Sequence, residues 1–417
     1  MIKFLHMADV HLDTVFQNRD ARLRSLLRDA VRETFQAGVD LALASGCQAM
    51  LIGGDLFDNQ TLSFVTEKFL LSEMQRLALG DVQVFYATGN HDPSGDIYRA
   101  RKIRWPANVH IFAQRTPEVV PLINKEGLLL AMIAGAGHET PREGENIASL
   151  FPEVSREDVP HLALLHALVT ESSTENEHER YAPCTLQDLK EKGYHYWALG
   201  HVHRRSVFSE NPYIVYPGNL VGRNPRETGS KGAYLVEIDD FGHVKLDFHA
   251  LAPLSWLNLT IDNLTTADNF AKLEQLIVAA VTKEIRENQV VGKVFLRLKL
   301  SGLCPLYREL GEAENLLALE ESLQALLSVE YLELKQEGLI PPLYAEEYKQ
   351  GPHILSELLA LLDSVETDDN LLQRLSPEIL AGLSGNAGTK ERIEYLRFLL
   401  KDLDYEAVAR LVEVDGQ

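Results

Sequence analysis

Cysteine is scarce in this 417-residue chain. Only Cys47, Cys184 and Cys304 occur, an odd number with no paired spacing. This scarcity excludes a disulfide framework and a cysteine-based structural zinc site. We expect the three thiols to be core residues of a protein in the reducing cytoplasm.

Long hydrophobic runs are also lacking. No stretch approaches the roughly eighteen apolar residues that a membrane span needs. Residues 1–5 enter a strand pattern at once and leave no place for the hydrophobic region of a signal peptide. We therefore expect a cytoplasmic protein that does not contact a membrane.

Positive charge is in deficit, because 40 lysines and arginines stand against 61 aspartates and glutamates, for a formal net charge of −21. This balance excludes broad, nonspecific coating of DNA, since phosphate binding needs concentrated positive charge. Most of the acidic excess lies from Trp256 onwards. The first 255 residues are nearer balance and hold local basic clusters, so a nucleic-acid substrate stays open.

Metal-binding residue types, in contrast, recur in five short motifs, each at the end of an apolar run. The motifs are Asp9-Val10-His11, Gly53-Gly54-Asp55, Gly89-Asn90-His91-Asp92, His166 and Gly200-His201-Val202-His203. Because strand ends converge at one edge of an α/β sheet, we expect these side chains to lie close together. Oxygen and imidazole donors without thiolates suit manganese, iron, zinc or magnesium. The five motifs therefore predict a two-metal hydrolase.

Strand and helix patterns alternate up to about residue 254. Strand patterns cover residues 2–7, 49–52, 82–87, 128–134, 162–165, 194–199, 213–216, 233–238 and 244–248, and helix patterns cover 19–44 and 62–79. Alternation followed by a strand-rich stretch is typical of two packed sheets flanked by helices. The sequence thus predicts a catalytic α/β domain over residues 1–254.

Two further segments follow this domain. Residues 255–337 alternate strand and helix in a compact order, which predicts a small α/β capping domain. Residues 338–342 are expected to be a linker, and residues 338–417 as a whole a helical tail. Its apolar stripe comprises Ile393, Leu396, Leu399, Leu400 and Leu403. Such a stripe needs a partner surface, either in the same protein or in another chain.

The motif series resembles that of the calcineurin-like metallophosphoesterases, and the family signature is complete and in order over residues 9–203. Residues 4–12 and 53–58 are similar to the SbcD-type DNA exonuclease branch. Tyr216-Pro217-Gly218-Asn219 and Arg226-Glu227-Thr228-Gly229 are similar to the YhaO-like bacterial DNA-repair exonucleases. The resemblance implies a four-layer α/β/β/α sandwich, followed by the capping domain and the helical tail.

The resemblance also implies two divalent metal ions, with manganese as the expected activator; the donor set also suits iron, zinc or magnesium. Asp55 would bridge the two ions. Asp9, His11 and His203 would complete one metal position, and Asn90, His166 and His201 the other. The alternative, in which the carboxylates are helix caps and the histidines are core residues, needs five coincidences.

His91 and Asp92 are the predicted catalytic residues. The imidazole of His91 is expected to face the substrate and protonate the leaving oxygen. Asp92 would either hold a histidine tautomer or form the turn. Nearby, His6 is expected to be a core residue and His138 a surface one, while Asp58 is either a supporting group or a loop carboxylate.

Basic residues near these motifs are candidate contacts to nucleic acid. They are Arg99, Arg101, Lys102, Arg104, Arg204 and Arg223. The run at residues 99–104 would usually be a solvated face. Because it follows the third motif directly, contact with the phosphates of a nucleic acid is an equal alternative.

The predicted function is metal-dependent exonuclease cleavage of DNA in repair. A small-molecule phosphoesterase acting on a cyclic nucleotide or nucleotide stays open, as does a non-catalytic subunit of an ATPase complex. By resemblance, the C-terminal helices would dock an SbcC-like coiled-coil ATPase, and a homodimer is also allowed; otherwise, the helices fold back on the capping domain.

Overall fold

A computed structural model describes residues 1–16, 19–58, 62–95, 102–154, 159–170, 181–288, 290, 292–341, 348–350, 354–375, 389–400 and 403–411. The chain divides into two compact units. One comprises Met1–Leu257 and Asn288–Phe295, and the other Asn258–Glu287 and Leu296–Gln417. The domain boundaries drawn from the sequence at 254/255 and 337/338 remain predictions.

Two six-stranded sheets form the first unit. In chain order the strands are β1 Ile2–Met7, β2 Ala49–Ile52, β3 Gln83–Ala87, β4 Val109–Phe112, β5 Glu118–Ile123, β6 Leu129–Gly135, β7 His161–His166, β8 Val169–Thr170, β9 Cys184–Thr185, β10 Tyr196–Gly200, β11 Ser206–Glu210, β12 Tyr213–Tyr216, β13 Gly232–Ile238 and β14 Val244–Ala250. The first sheet has the order β14-β13-β1-β2-β3-β4 and the second β11-β12-β10-β7-β6-β5, while β8 and β9 pair by themselves. Strands β1 to β4 are parallel to one another, as are β6, β7, β10 and β12.

The two sheets pack face to face, because alternate side chains of both are apolar and fully buried. Phe4, Leu51 and Phe85 of the first sheet join Leu164 and Tyr196 of the second in one hydrophobic core. Parallel strands buried on both faces need such continuous apolar runs, which is why their sequences were recognisable.

Helices cover the outer faces of both sheets. Helices α1 Ala21–Ala44 and α2 Phe64–Leu79 begin at Asp20 and Ser63, whose side chains cap the first turns, and pack on the first sheet. The second sheet packs its Trp197 against Phe151 and Leu189, beneath helix α3 Leu186–Lys190. The predicted four-layer α/β/β/α sandwich is confirmed.

The second unit holds a three-stranded sheet and helices. The sheet has the order β15-β16-β17, with β15 Leu254–Ile261, β16 Lys293–Leu303 and β17 Tyr331–Ile340; β15 and β16 begin in the first unit. The helices are α4 Phe270–Glu287, α5 Tyr307–Gly311, α6 Ala313–Leu327, α7 Ile354–Thr367, α8 Asp369–Leu375, α9 Thr389–Leu400 and α10 Leu403–Leu411. Helices α7 and α10 pack on each other, and α8 packs against both α7 and α9.

Several sequence predictions of elements need correction. Strand β17 continues to Ile340, so residues 338–340, expected as linker, are strand. Strands β4, β5 and β11 were missed, because they lie at sheet edges or next to them and bury few side chains. Among the described residues no helix is long and apolar enough to cross a membrane. All three cysteines are free and buried, as expected.

Candidate metal centre

The five motifs meet at the carboxyl ends of five parallel strands. Asp9 follows β1, Asp55 follows β2 and Asn90 follows β3, all in the first sheet. His166 is the last residue of β7 in the second sheet, and it lies in register with Gly200 at the end of the adjacent β10. Because both sheets end their strands at the same edge, ligands up to about 190 residues apart in sequence come together there.

The backbone at these positions is strained. Asp9, His11 and Asp55 have φ values of 50°, 54° and 52°, and His201 has a φ of 106°. Side-chain-bearing residues rarely adopt this left-handed region, which costs about 1–3 kcal/mol each. At these four predicted ligands, the surrounding structure therefore holds the backbone in a conformation that it would rarely adopt by itself.

Asp55 occupies the middle of the cluster. Its Oδ2 lies 3.8 Å from Nε2 of His11 on one side and 3.5 Å from Nε2 of His166 on the other. Its Oδ1 is already used, because it accepts the backbone N–H of His91 over 2.8 Å. One free carboxylate oxygen therefore faces two separate groups of donors.

The first group contains Asp9, His11 and His203. Nε2 of His11 lies 3.2 Å from Nε2 of His203, which lies 3.9 Å from Oδ1 of Asp9. Each imidazole donates its Nδ1–H outward, His11 to Asp58 over 2.9 Å and His203 to Glu227 over 3.1 Å. Both Nε2 atoms then present lone pairs to the same point, an arrangement that suits a cation.

The second group surrounds the side chain of Asn90. Its Oδ1 lies 2.9 Å from Nε2 of His166 and 3.2 Å from Nδ1 of His201. His166 donates its Nδ1–H to the carbonyl of Gly53 over 2.8 Å, which leaves its Nε2 lone pair free. This group combines imidazole and amide donors with Oδ2 of Asp55.

Electrostatics at the cluster also fits a metal pair. Burial, together with the charge of nearby Asp55, raises the pKa of Asp9 to about 7. Burial lowers the pKa of both His11 and His201 to about 4, so these imidazoles are neutral at pH 7, as metal ligation requires. Burial thus disfavours the charged form of Asp9 beside Asp55, and divalent cations would favour it by neutralising both carboxylates.

Two glycines leave space for this packing. A Cβ at Gly54, whose φ is +90°, would lie 2.4 Å from Nδ1 of His166. A Cβ at Gly89 would lie 2.2 Å from Oδ1 of Asp55. Neither position accepts a side chain without displacing a donor, so glycine at both is a requirement of the site.

Asp58 connects the metal cluster to His91. Its Oδ1 accepts Nδ1–H from both His91, over 2.7 Å, and His11. Its Oδ2 accepts from the Thr14 hydroxyl over 2.6 Å and from Arg223 over 2.9 Å. The hydrogen bond to Asp58 raises the pKa of His91. Asp58 is therefore the supporting carboxylate, one of the two roles that the sequence left open.

Asp92 contacts backbone and a tyrosine instead of a histidine. It accepts the N–H groups of Gly89, Asp55 and Leu56 and the hydroxyl of Tyr86. These contacts tie the loop after β3 to the loop after β2. They match the turn-forming role, and the predicted histidine-orienting role belongs to Asp58.

Other residues near the site differ from expectation in part. His6 is buried and bonds the Tyr196 hydroxyl over 2.9 Å, as expected of a core residue. His138 was expected on the surface, but it is fully buried and donates from Nε2 to the carbonyl of His166 over 2.7 Å. Glu227 and Lys231 contact His203 and were not recognised as site residues; the only sequence signal was the motif at 226–229.

The described basic candidates differ in exposure. Lys102, Arg104 and Arg204 are exposed, whereas Arg223 is mostly buried and paired with Asp58. Arg99 and Arg101 lie outside the described residues. A cavity of about 520 Å³ adjoins His91, and its walls are Thr14, Val15, Phe16, Asp58, His91, Arg223, Asn224 and Glu227.

Comparison with known proteins agrees with this geometry. A family model described as calcineurin-like phosphoesterase matches residues 2–205. The chain is 33% identical over 362 residues to an uncharacterized metallophosphoesterase, YhaO, of Bacillus subtilis, covering 86% of this chain and 84% of the relative.

More distant similarity extends to proteins named DNA double-strand break repair protein Mre11. The chain is 24% identical over 411 residues to the one from Archaeoglobus fulgidus, covering 94% of this chain and 88% of the relative. It is 24% identical over 320 residues to the one from Sulfolobus acidocaldarius, covering 74% of this chain and 77% of the relative. With a close relative across most of its length and a complete donor set at the strand ends, this chain belongs to the calcineurin-like metallophosphoesterases.

Proposed function

We propose that this protein is a metal-dependent exonuclease that hydrolyses DNA phosphodiester bonds during repair. The observation that carries the proposal is the position of Oδ2 of Asp55 between two groups of carboxylate, imidazole and amide donors. In this assignment, Asp55 would help to hold both of two divalent ions. Asp9, His11 and His203 would hold one of them, and Asn90, His166 and His201 the other. The ions, of which manganese is the expected one, would supply Lewis acidity and neutralise the charge of the phosphate.

His91 would act on the leaving group. Its Nδ1 is occupied by Asp58, so Nε2 is the nitrogen left to contact a substrate. The side chain is 38% exposed and borders the cavity, whereas His11, Asp55 and His166 are buried. In this position it can deliver a proton to the leaving oxygen of a phosphodiester.

DNA as the substrate is supported by the relatives named as DNA repair proteins, which match 94% and 74% of this chain. The second candidate is a phosphoesterase for nucleotides or cyclic nucleotides. The net charge of −21 favours it, because an acidic protein repels a polyanion more than a small ester.

One assay distinguishes the candidates. The purified protein is incubated with manganese and, side by side, linear duplex DNA, single-stranded DNA, a cyclic nucleotide and a 5′ nucleotide. We expect release of mononucleotides from a DNA end. Turnover of the small esters with intact DNA would support the second candidate, and no turnover of any substrate would point to a non-catalytic subunit.

We also propose that the helical tail docks a coiled-coil ATPase of the SbcC type in the cytoplasm. Helix α9 packs Ile393 against Val365 and Leu372 within the tail. Its other side leaves Tyr395, Phe398 and Leu399 exposed, by 54%, 70% and 47%. An amphipathic coiled coil could cover this apolar face.

A further inference from the structure

Glu227 lies outside the five motifs but touches the metal cluster. Its Oε1 accepts the Nδ1–H of His203 over 3.1 Å and the Asn224 amide over 2.8 Å. Its Oε2 accepts the Asn219 amide over 2.6 Å and the backbone N–H of Arg223 over 2.7 Å. All four partners are hydrogen-bond donors, so only a carboxylate can accept from all of them. In a glutamine the NH₂ group would itself be a donor and would face two of these donors.

Lys231 holds the same histidine from the backbone side. Lys231 as a residue is 7% exposed, and its ammonium group donates to the carbonyl of His203 over 2.9 Å. The backbone N–H of Asn219 reaches the same carbonyl over 3.3 Å. Residues 219–231 thus fix His203 at both its ring and its main chain, although none of them belongs to the metal-binding motifs.

We propose that Glu227 and Lys231 are positioning residues for His203, which set the affinity of the metal position shared by Asp9, His11 and His203. The inference rests on the ligand assignment of the proposed function. With Nδ1–H held by Glu227, the Nε2 lone pair always faces the metal position, and with the carbonyl held by Lys231 the ring cannot move away. Loss of either contact weakens this position and leaves the position at Asn90, His166 and His201 intact.

The experiment is titration of metal-free full-length protein with Mn²⁺ by calorimetry. Glu227→Gln should weaken one of two binding events about 10- to 100-fold and leave the other within about twofold. Lys231→Met should weaken the same event less. The matched control is Glu143→Gln, because Glu143 is more deeply buried than Glu227 and accepts the N–H groups of Glu139 and Thr140 but contacts no predicted metal ligand. It should lower the melting temperature without changing either event.

The outcomes are distinct. Unchanged binding of both ions by Glu227→Gln would overturn the inference, as would equal weakening of both events. If circular dichroism shows that Glu227→Gln does not fold, Lys231→Met decides by the same criteria. Failure of the wild-type protein to bind a pair of ions would instead refute the proposed function.

Discussion

The carboxylate of Asp58 accepts the Nδ1–H of His91 over 2.7 Å. The same oxygen accepts the Nδ1–H of His11, so one buried carboxylate orients both a metal donor and the residue that faces the substrate. Burial would raise the pKa of Asp58, but the hydrogen bonds from His11 and His91 outweigh it and hold that pKa well below its usual range. Asp58 therefore remains a charged acceptor for both histidines at any working pH.

Replacing Asp58 by asparagine should affect both neighbours. An amide NH₂ in place of Oδ2 would face the Thr14 hydroxyl and the Arg223 guanidinium, both of which are donors to it now. We expect turnover of DNA ends and Mn²⁺ affinity each to fall about 10- to 100-fold. Steady-state kinetics and calorimetry measure the two effects. A loss of turnover with unchanged metal affinity would show that Asp58 does not support His11.

His91→Gln should separate proton transfer from metal binding. Two bound Mn²⁺ ions should remain, while turnover of a DNA end falls about 10²- to 10⁴-fold, because the leaving oxygen is no longer protonated. A nitrophenyl phosphodiester should lose less, since its leaving group hardly needs a proton. Equal losses on both substrates would argue against His91 as the acid.

Asp55→Asn removes the negative charge that two donor groups share. We expect metal content, measured by elemental analysis, to fall to one ion or fewer per chain and phosphodiesterase activity to be lost, with the fold retained. Asp188→Asn is the control, because the Asp188 carboxylate accepts from Thr185 in the capping box of helix α3 and contacts none of the predicted ligands. Two retained ions and near-normal rates would refute the bridging role.

His6 should make the fold sensitive to acid. Burial lowers the pKa of His6 from 6.5 to about 3. Below pH 6.5 the imidazole of His6 is protonated in the unfolded chain but stays neutral in the folded chain. Its contribution to the free energy of unfolding is therefore complete above pH 6.5 and is lost as the pH falls. The loss from this group should approach about 1.4 kcal/mol per pH unit as the pH falls below 6.5, which gives about 2 kcal/mol between pH 6.5 and 4.5.

The free energy of unfolding of His6→Asn, measured with urea between pH 6.5 and 4.5, should fall less than that of the wild type by this amount. The control, His243→Asn, removes a histidine whose side chain is 81% exposed, and its decline should match that of the wild type. Parallel declines for wild type and His6→Asn would contradict the prediction.

Phe398→Asp should test the partner surface. The side chain is 70% exposed on α9, so the change should leave the melting temperature and the hydrolysis of small diesters unaltered. Co-purification with a coiled-coil ATPase of the SbcC type should be lost. Phe241→Asp is the control, because Phe241 is 86% exposed at the turn between β13 and β14 and should not affect binding. If Phe398→Asp still co-purifies with the ATPase, this face of α9 is not the partner surface.

The fold and the convergence of the five motifs were predictable because their signals are local. Strands buried on both faces, such as β2 and β10, have continuous apolar sequences, and each motif comes directly after one. The edge strand β5 was missed because its side chains are mostly exposed and lack that pattern. Helix α3, which covers part of the second sheet, has too few residues to show a helical period.

The sequence by itself determined the type and order of the candidate ligands at Asp9, Asp55 and His166, because each comes at the end of an apolar strand pattern that is recognisable locally. Only the tertiary structure decided what holds those donors. The partners of His11 and His203 lie 47 and 24 residues away, and nothing in a local pattern distinguishes Asp58 or Glu227 from a loop carboxylate. A hydrogen bond is set by distance and direction in space, so these roles appear only once the chain is folded.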